Sequence, residues 1–252
     1  MSDEKKTTVL GHFKELRKRL LRIVIVVVIT STISFFFADQ IFEILKTPAG
    51  DIELIFIEMS EGFSTYMRVC LVAGVILAMP YIMYHFLMFL MPALTHQERK
   101  TVLMVLPWVI VMFAGGVYFS YRFLIPPAIQ FLLTFGSEVA TAQIRLSNYV
   151  NFITRLLLAI GIIFEMPVVT TFLARMGIIS SKWLANKRKI MIIFSFVLGA
   201  FITPTPDAVN QSIVAGTLIV LYEMCIWLAK LVQKKKPPEV TSEPVPVSGG
   251  SE

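Results

Sequence analysis

LLRIVIVVVITSTISFFFA, residues 20–38, is the stretch that decides the fold. A single charge, Arg22, interrupts this apolar run near its start, and Asp39 ends it. A helix needs about 20 apolar residues to cross a bilayer, and this run is close to that length. A cleavable signal peptide is the alternative, but the run ends in three phenylalanines and lacks a small-residue cleavage pattern. The sequence therefore predicts an uncleaved first transmembrane helix.

Further apolar runs follow along the chain and predict helices at about 66–90, 102–124, 151–174, 190–203 and 211–229. Hydrophobic residues make up 56% of the chain, against roughly 45–50% in soluble proteins. Lysine and arginine stand in short blocks beside these runs, without the basic stripe and interleaved aromatic residues of a nucleic-acid-binding surface. The predicted fold class is an all-α membrane protein with six transmembrane helices, and no nucleic-acid partner is expected.

The basic residues predict the orientation of these helices. Of 23 lysines and arginines, 18 lie in the N-terminal stretch up to Arg22, in the two–three and four–five links and in the tail, and 5 lie on the opposite side. The positive-inside rule then places both termini in the cytoplasm. We expect a cytoplasmic segment at 1–19, a transmembrane domain at 20–229 and a disordered tail at 230–252, which is rich in proline and serine.

The fifth and sixth predicted helices are short. The fifth, at 190–203, would span roughly 21 Å, against a hydrocarbon core of about 30 Å. Asn210, Gln211 and Ser212 shorten the apolar part of the sixth helix at its outer end. This mismatch predicts local thinning of the bilayer beside the pair.

Glu165 is the acidic residue that lies deepest within a predicted span. A carboxylate at that depth is costly, so it should face a cavity or a partner, or be protonated. Pro167 removes a helical hydrogen bond two residues later, which predicts a local bend. A purely structural carboxyl group is the alternative. Glu223 lies nearer the end of helix six, where its side chain could reach the surface.

Glu15 and Glu98 stand among basic residues on the expected cytoplasmic side, in KELRKRL and HQERK. They could simply be neutralised by neighbouring arginines, or they could accept incoming guanidinium groups through forked hydrogen bonds. Sequence signatures of hydrolases, metalloproteases and phosphate-binding loops are missing, and the three histidines lack metal-ligand spacing. We therefore expect no enzyme activity, no metal and no cofactor.

Five motifs, in register on the six-helix frame between residues 12 and 230, resemble those of the TatC family, the core receptor subunit of the twin-arginine protein translocase. The matching residues are His12, Glu15, Leu16, Arg17 and Arg19; Phe89, Pro92, Leu94, Glu98 and Arg99; Phe164, Glu165, Met166 and Pro167; Thr203, Pro204, Pro206 and Asp207; and Tyr222 with Glu223. The first outer loop matches in part, at Pro48 and at Glu61-Gly62-Phe63.

This resemblance implies a receptor for signal peptides that carry an arginine pair, in a concave, glove-like bundle in a bacterial-type inner membrane. It implies export of folded cargo driven by the protonmotive force, with TatA-type and TatB-type single-span subunits as partners and further copies of the chain in the receptor complex. The implied residues are Glu15, Arg17, Phe89 and Glu98 for signal-peptide binding; Glu165, Pro167, Tyr222 and Glu223 for an intramembrane polar or partner site; and Pro48, Thr203, Pro204, Pro206 and Asp207 for an outer-face motif.

Two other functions remain open at this point. A proton-coupled secondary transporter would use Glu165, but such proteins favour internal repeats and paired broken helices, which the sequence does not show. A structural bundle that scaffolds other membrane subunits would not depend on the charge of Glu15 or Glu98.

Overall fold

The computed structural model describes residues 2–50, 53–90, 96–135, 143–203 and 207–233, with backbone alone at 2–13, 49, 90 and 96–104. The helices are α1 (Ser2–Phe36), α2 (Ala38–Lys46), α3 (Glu61–Leu90), α4 (His96–Phe119), α5 (Ile125–Thr134), α6 (Leu146–Ile163), α7 (Met166–Arg175), α8 (Ser181–Asn186), α9 (Arg188–Ile202) and α10 (Ala208–Val232). Two short strands, β1 (Leu54–Ile55) and β2 (Ile144–Arg145), pair in parallel.

The predicted all-α membrane fold is confirmed. Within the described ranges, five stretches are long and apolar enough to cross a membrane: Lys14–Phe36, Glu61–Phe89, Val105–Thr134, Leu146–Arg175 and Ala208–Val232. The remaining predicted span, the fifth at 190–203, corresponds to α9, which has 15 residues and is about 22 Å long. Since α10 has 25 residues, it extends beyond the predicted range 211–229, and α9 is the shorter helix of the pair.

The core of the bundle is built around α6. Its residues Ile153, Leu156 and Ile160 are almost completely buried, and they pack in one cluster with residues of α3, α5 and α10. A smaller cluster joins α3, α4 and α7 around Leu87 and Phe172. These packed helices hold the two ends of the bundle at fixed positions relative to each other.

Small residues allow the closest helix contacts. The Thr30 hydroxyl of α1 donates to the backbone carbonyl of Gly74 in α3 at 2.8 Å. On the other side, Gly116 of α4 lies directly against Phe164, and Gly161 of α6 lies against Phe113. Small residues at helix crossings are typical of membrane proteins, where van der Waals packing drives association.

Three features differ from the predicted boundaries. The basic N-terminal segment and the first apolar run form one continuous helix, so the expected boundary at residue 19 lies inside α1. The outer segment after residue 125 begins with α5, whose first turn contains Pro126 and Pro127, because proline at the start of a helix loses no hydrogen bond. The first outer loop contains α2, whose residues Phe42 and Leu45 are buried in the core.

Candidate functional site

A chain of polar contacts joins α1 to α3 at the end of the bundle that holds Lys14 to Arg22, here called the basic end. Arg19 Nε donates to Glu15 Oε1 at 3.0 Å, and Arg19 Nη2 contacts the same oxygen. Arg19 Nη1 lies 3.4 Å from Nδ1 of the buried His85. Since a guanidinium can only donate, His85 Nδ1 is the acceptor in this contact. The spacing of four residues places Glu15 and Arg19 on one face of α1.

These groups line a cavity of about 400 Å³ at the basic end, here called the Glu15 cavity. Its walls are Glu15, Lys18, Arg19, Arg22, Tyr84, His85 and Met88. The side chain of Glu15 is 40% exposed and that of Arg19 only 16%, so the carboxylate remains within reach of a ligand. The cavity therefore combines one accessible carboxylate with cationic side chains and the aromatic ring of Tyr84.

Of the other predicted signal-peptide-binding residues, Arg17 and Phe89 are not among those that line this cavity. Arg17 is exposed on α1, and Phe89 is half-buried at the end of α3. Glu98 lies in the first turn of α4, and its side chain is outside the described part of the structure. Since only five residues separate the end of α3 from the start of α4, the topology brings Glu98 to the same end of the bundle as Glu15 and Phe89.

Glu165 lies where the predicted fourth helix breaks into α6 and α7. Its side chain is buried, and neither carboxylate oxygen has a hydrogen-bond partner among the described residues. Pro167 occupies the first turn of α7, directly after the interruption between α6 and α7. Burying a polar group without a hydrogen-bond partner costs free energy, so the position of Glu165 destabilises the folded state.

Tyr222 and Glu223 form contacts of their own on α10. The Tyr222 hydroxyl donates to the carbonyl of Leu184 at 2.7 Å, and Arg188 Nη2 lies 2.8 Å from Glu223 Oε2. No hydrogen bond between described residues joins either of them to Glu165. The predicted intramembrane polar site is thus two separate features: an isolated carboxyl group at Glu165, and a clasp from α10 to α8 and α9.

The predicted outer-face motif lies in turns at the opposite end of the bundle. Asp207 caps α10 by accepting hydrogen bonds from Asn210 N at 2.6 Å and Nδ2 at 3.1 Å. Thr203 is buried, and its hydroxyl donates to the carbonyl of Gly199. Pro48 is half-buried in a 3₁₀ turn, whereas Pro204 and Pro206 lie outside the described residues. Capping alone accounts for the position of Asp207.

A buried ionic contact that was not predicted from the sequence lies at that opposite end of the bundle. The Glu61 side chain is 1% exposed and accepts from Arg145 Nε, Ser147 N and Ile57 N at 2.9, 2.9 and 3.0 Å. Arg145 also pairs with Glu58 at 2.9 Å. Hydrogen bonds with Glu58 and Glu61 raise the pKa of Arg145 above its ordinary value. This Glu61 latch ties the start of α3 to the start of α6. A sequence signal for it existed in Arg145, the single lysine or arginine of the segment 125–151.

Glu61→Gln should lower the melting temperature of the purified protein by about 5–10 °C, because it leaves Arg145 with one partner and turns an acceptor into a donor. Thermal unfolding in detergent, followed by tryptophan fluorescence, measures this effect. Glu53→Gln is the matched control, since Glu53 is exposed in the same loop. Equal melting temperatures for the two variants would contradict a stabilising role for the latch.

Comparison with known proteins places these features in a family. The profile of the family described as Sec-independent protein translocase protein (TatC) matches residues 11–216. The Sec-independent protein translocase protein TatC of Carboxydothermus hydrogenoformans is 35% identical over 236 residues, which are 93% of this chain and 97% of that protein. Its counterpart from Aquifex aeolicus is 38% identical over 231 residues, 89% of this chain and 95% of that protein.

Solved structures agree with these relatives. A crystal structure described as twin arginine translocase receptor TatC superposes with a TM-score of 0.78 at 37% identity and covers 88% of this chain and 99% of that chain. A second crystal structure of the receptor, in the detergent DDM, gives a TM-score of 0.79 at 38% identity, with coverage of 86% and 99%. The similarity therefore extends over sequence and fold together.

Proposed function

The chain belongs to the TatC family of Sec-independent protein translocases, and from this premise we propose that it is a core receptor subunit of the twin-arginine translocase that binds the arginine pair of a signal peptide at the Glu15 cavity. The protein is a multi-pass membrane component of a translocation system. The transporter alternative based on Glu165 is not favoured, since the relatives over nearly the whole chain are translocase subunits.

One observation carries the choice of site: the Glu15 carboxylate already binds a guanidinium, that of Arg19. Its geometry therefore suits the chemical group that a twin-arginine signal peptide presents. Glu15 is more exposed than Arg19, so an incoming arginine can approach the carboxylate from the cavity side. Tyr84 supplies an aromatic ring for the flat face of a guanidinium.

Glu98 is the proposed receptor for the second arginine of the pair. Its place in the first turn of α4 is consistent with this role, since α3 and α4 meet at the basic end. Arg17 and Phe89 would shape the surface between the two carboxylates. A pair of separated carboxylates would select two neighbouring guanidinium groups over a single positive charge, and forked hydrogen bonds would select arginine over lysine.

Photo-crosslinking in membranes tests this proposal. With p-benzoylphenylalanine replacing Tyr84, a twin-arginine signal peptide should crosslink strongly, and a peptide with both arginines changed to lysine should not. The same probe replacing Tyr118 is the control, because Tyr118 is exposed and lines a different cavity. Equal crosslinking of the two peptides at position 84 would remove the Glu15 cavity as the arginine-binding site.

Arg19→Gln should strengthen binding of the signal peptide by about 2–5-fold, because it removes a partly buried ion pair with Glu15 that the incoming arginine must displace. It also removes a cation from a cavity that already contains Lys18 and Arg22. Fluorescence anisotropy with a labelled peptide and detergent-purified protein measures the affinity. Lys14→Gln removes the same charge from the exposed surface of α1 and serves as the control. Weaker binding by Arg19→Gln would mean that Arg19 positions Glu15 and does not compete for it.

The remaining features fit a translocase core. We place the basic end in the cytoplasm and the protein in an inner membrane, since 18 of the 23 lysines and arginines lie on that side. Single-span TatA-type and TatB-type subunits would associate with the bundle, together with further copies of this chain. The short α9 and the buried Glu165 would favour local thinning of the bilayer, which would help folded cargo to cross in response to the protonmotive force.

A further inference from the structure

A second polar cleft lies at the end of the bundle away from the Glu15 cavity. It measures about 690 Å³ and opens between α3, α5 and α6. Its polar lining consists of Arg68, Asn148, Asn151 and Arg155, and its apolar lining includes Leu133 and Phe152. The signal-peptide site does not use any of these residues.

Two guanidinium groups from different helices share this cleft without a protein counter-charge. Arg68 on α3 and Arg155 on α6 are both exposed, and neither forms an ion pair or hydrogen bond with another described residue. The acidic groups nearest to the start of these helices, Glu58 and Glu61, are engaged by Arg145. The positive charge of the cleft is therefore unbalanced within the described part of the chain.

The positions of the two arginines along their membrane-spanning helices make the unbalanced positive charge energetically costly. Arg68 lies about 10 Å along α3 from its first residue, and Arg155 lies about 13 Å along α6. The spans that contain them have 29 and 30 residues, enough to cover both headgroup layers and the hydrocarbon core. Each headgroup layer takes about 6 Å, so spans that begin at the outer membrane surface would place both Cα atoms below the boundary of the hydrocarbon core. A charged side chain at that depth is costly unless it reaches the headgroup level or meets an anion.

We propose that this cleft binds the phosphate group of an anionic phospholipid, with Arg68 and Arg155 as its two cationic ligands. Arginine binds phosphate oxygens through paired N–H donors, and the amides of Asn148 and Asn151 add neutral donors beside them. Two positive charges around one phosphate favour a lipid with net negative charge over a zwitterionic lipid. Leu133 and Phe152 provide an apolar wall for the acyl chains, which a free phosphate ion would not need.

Native mass spectrometry of the full chain tests the proposal. The purified protein is released from nanodiscs that contain equal amounts of phosphatidylglycerol and phosphatidylcholine, and the ratio of the two retained lipids is measured. We expect the wild-type protein to retain phosphatidylglycerol preferentially and Arg68→Gln/Arg155→Gln to reduce that preference at least tenfold. Arg122→Gln is the matched control, because Arg122 is an exposed arginine on the same side of the bundle but outside the cleft, and it should change the ratio less than twofold.

Two further experiments test whether the bound phosphate belongs to a lipid or is a free ion, and whether positive charge alone is sufficient for binding. Adding inorganic phosphate to the nanodiscs should leave the lipid ratio unchanged, whereas displacement of phosphatidylglycerol by phosphate would overturn a lipid site. Arg68→Lys/Arg155→Lys should retain a reduced preference, because lysine keeps the charge but loses the forked donors. A double Gln variant with the wild-type ratio and wild-type melting temperature would overturn the proposal outright.

Discussion

Glu15→Gln should weaken binding of a twin-arginine signal peptide by about 100-fold and reduce export of a reporter cargo to a similar extent. Truncating the charge of one partner in a hydrogen-bonded charge pair costs about 2–5 kcal/mol, which corresponds to this range of affinity. The effect is large because Glu15 is the one carboxylate among the residues that line its cavity, where Lys18, Arg19 and Arg22 remain. Without it, the cavity repels an incoming arginine.

A double-mutant cycle makes this prediction specific to the arginine pair. In the wild-type protein, changing both peptide arginines to lysine should weaken binding strongly, because lysine loses the forked contact with the carboxylate. In Glu15→Gln the same peptide change should have a clearly smaller effect, since the contact with Glu15 is already lost and only the proposed contact with Glu98 remains. Additive effects would show that Glu15 and the arginine pair act independently.

Glu43→Gln provides the matched control for this experiment. Glu43 is an exposed glutamate on α2, away from the basic end, so its substitution removes the same charge without touching the Glu15 cavity. Its peptide affinity and export should stay within twofold of the wild-type values. A comparable loss in both variants would point to a general effect of net charge on the membrane-bound protein.

The long transmembrane helices were predictable because hydropathy is a local property that is readable in a window of about 20 residues. The break at Glu165 was predictable as well, since Pro167 acts on its own helix. The outer helices α2 and α5 were not predicted. They are short, with 9 and 10 residues, and depend on packing of Phe42 and Ile129 into the core. Such helices draw their stability from tertiary contacts, which a sequence window does not contain.

The contacts of the candidate site also divide into those within one helix, which the sequence predicts, and those between helices, which it does not. The contact between Glu15 and Arg19 spans four residues on one helix face, so the sequence already contained its geometry. The contact of Arg19 with His85 spans 66 residues and that of Arg145 with Glu61 spans 84. These depend on how α1, α3 and α6 pack. The sequence could thus identify the chemical groups of the site, whereas their partners from other helices required the fold.

Gly74→Val should be among the most destabilising single substitutions in the chain, because α3 lies directly against the backbone of α1 at Gly74. A Cβ atom at residue 74 would overlap the Ser31 side chain and would lie 2.6 Å from Ser31 Cα. Since backbone atoms cannot rotate away, α1 would have to shift and would lose the hydrogen bond from Thr30 to the Gly74 carbonyl. Overpacking costs about 1–3 kcal/mol for added methylene groups and more when the backbone must move.

The shift of α1 would also affect the signal-peptide site, since Glu15 and Arg19 lie on α1 and His85 lies on α3. We therefore expect Gly74→Val to lower the yield of folded protein and its melting temperature, and the milder Gly74→Ala to remain folded but bind the signal peptide more weakly. Thermal unfolding in detergent and peptide anisotropy measure the two effects. Gly115→Val is the matched control, because a Cβ atom there meets no other atom within 4 Å.

A second substitution distinguishes overlap with the Ser31 side chain from overlap with the backbone of α1. Ser31→Gly in the Gly74→Ala background removes the overlapping hydroxyl but leaves the backbone nitrogen and Cα of residue 31 in place. It should therefore restore only part of the melting temperature and of the peptide affinity. Full restoration would locate the whole conflict in the Ser31 side chain, and no restoration would locate it in the backbone of α1. Equal stability of Gly74→Val and Gly115→Val would contradict the close contact between α1 and α3 itself.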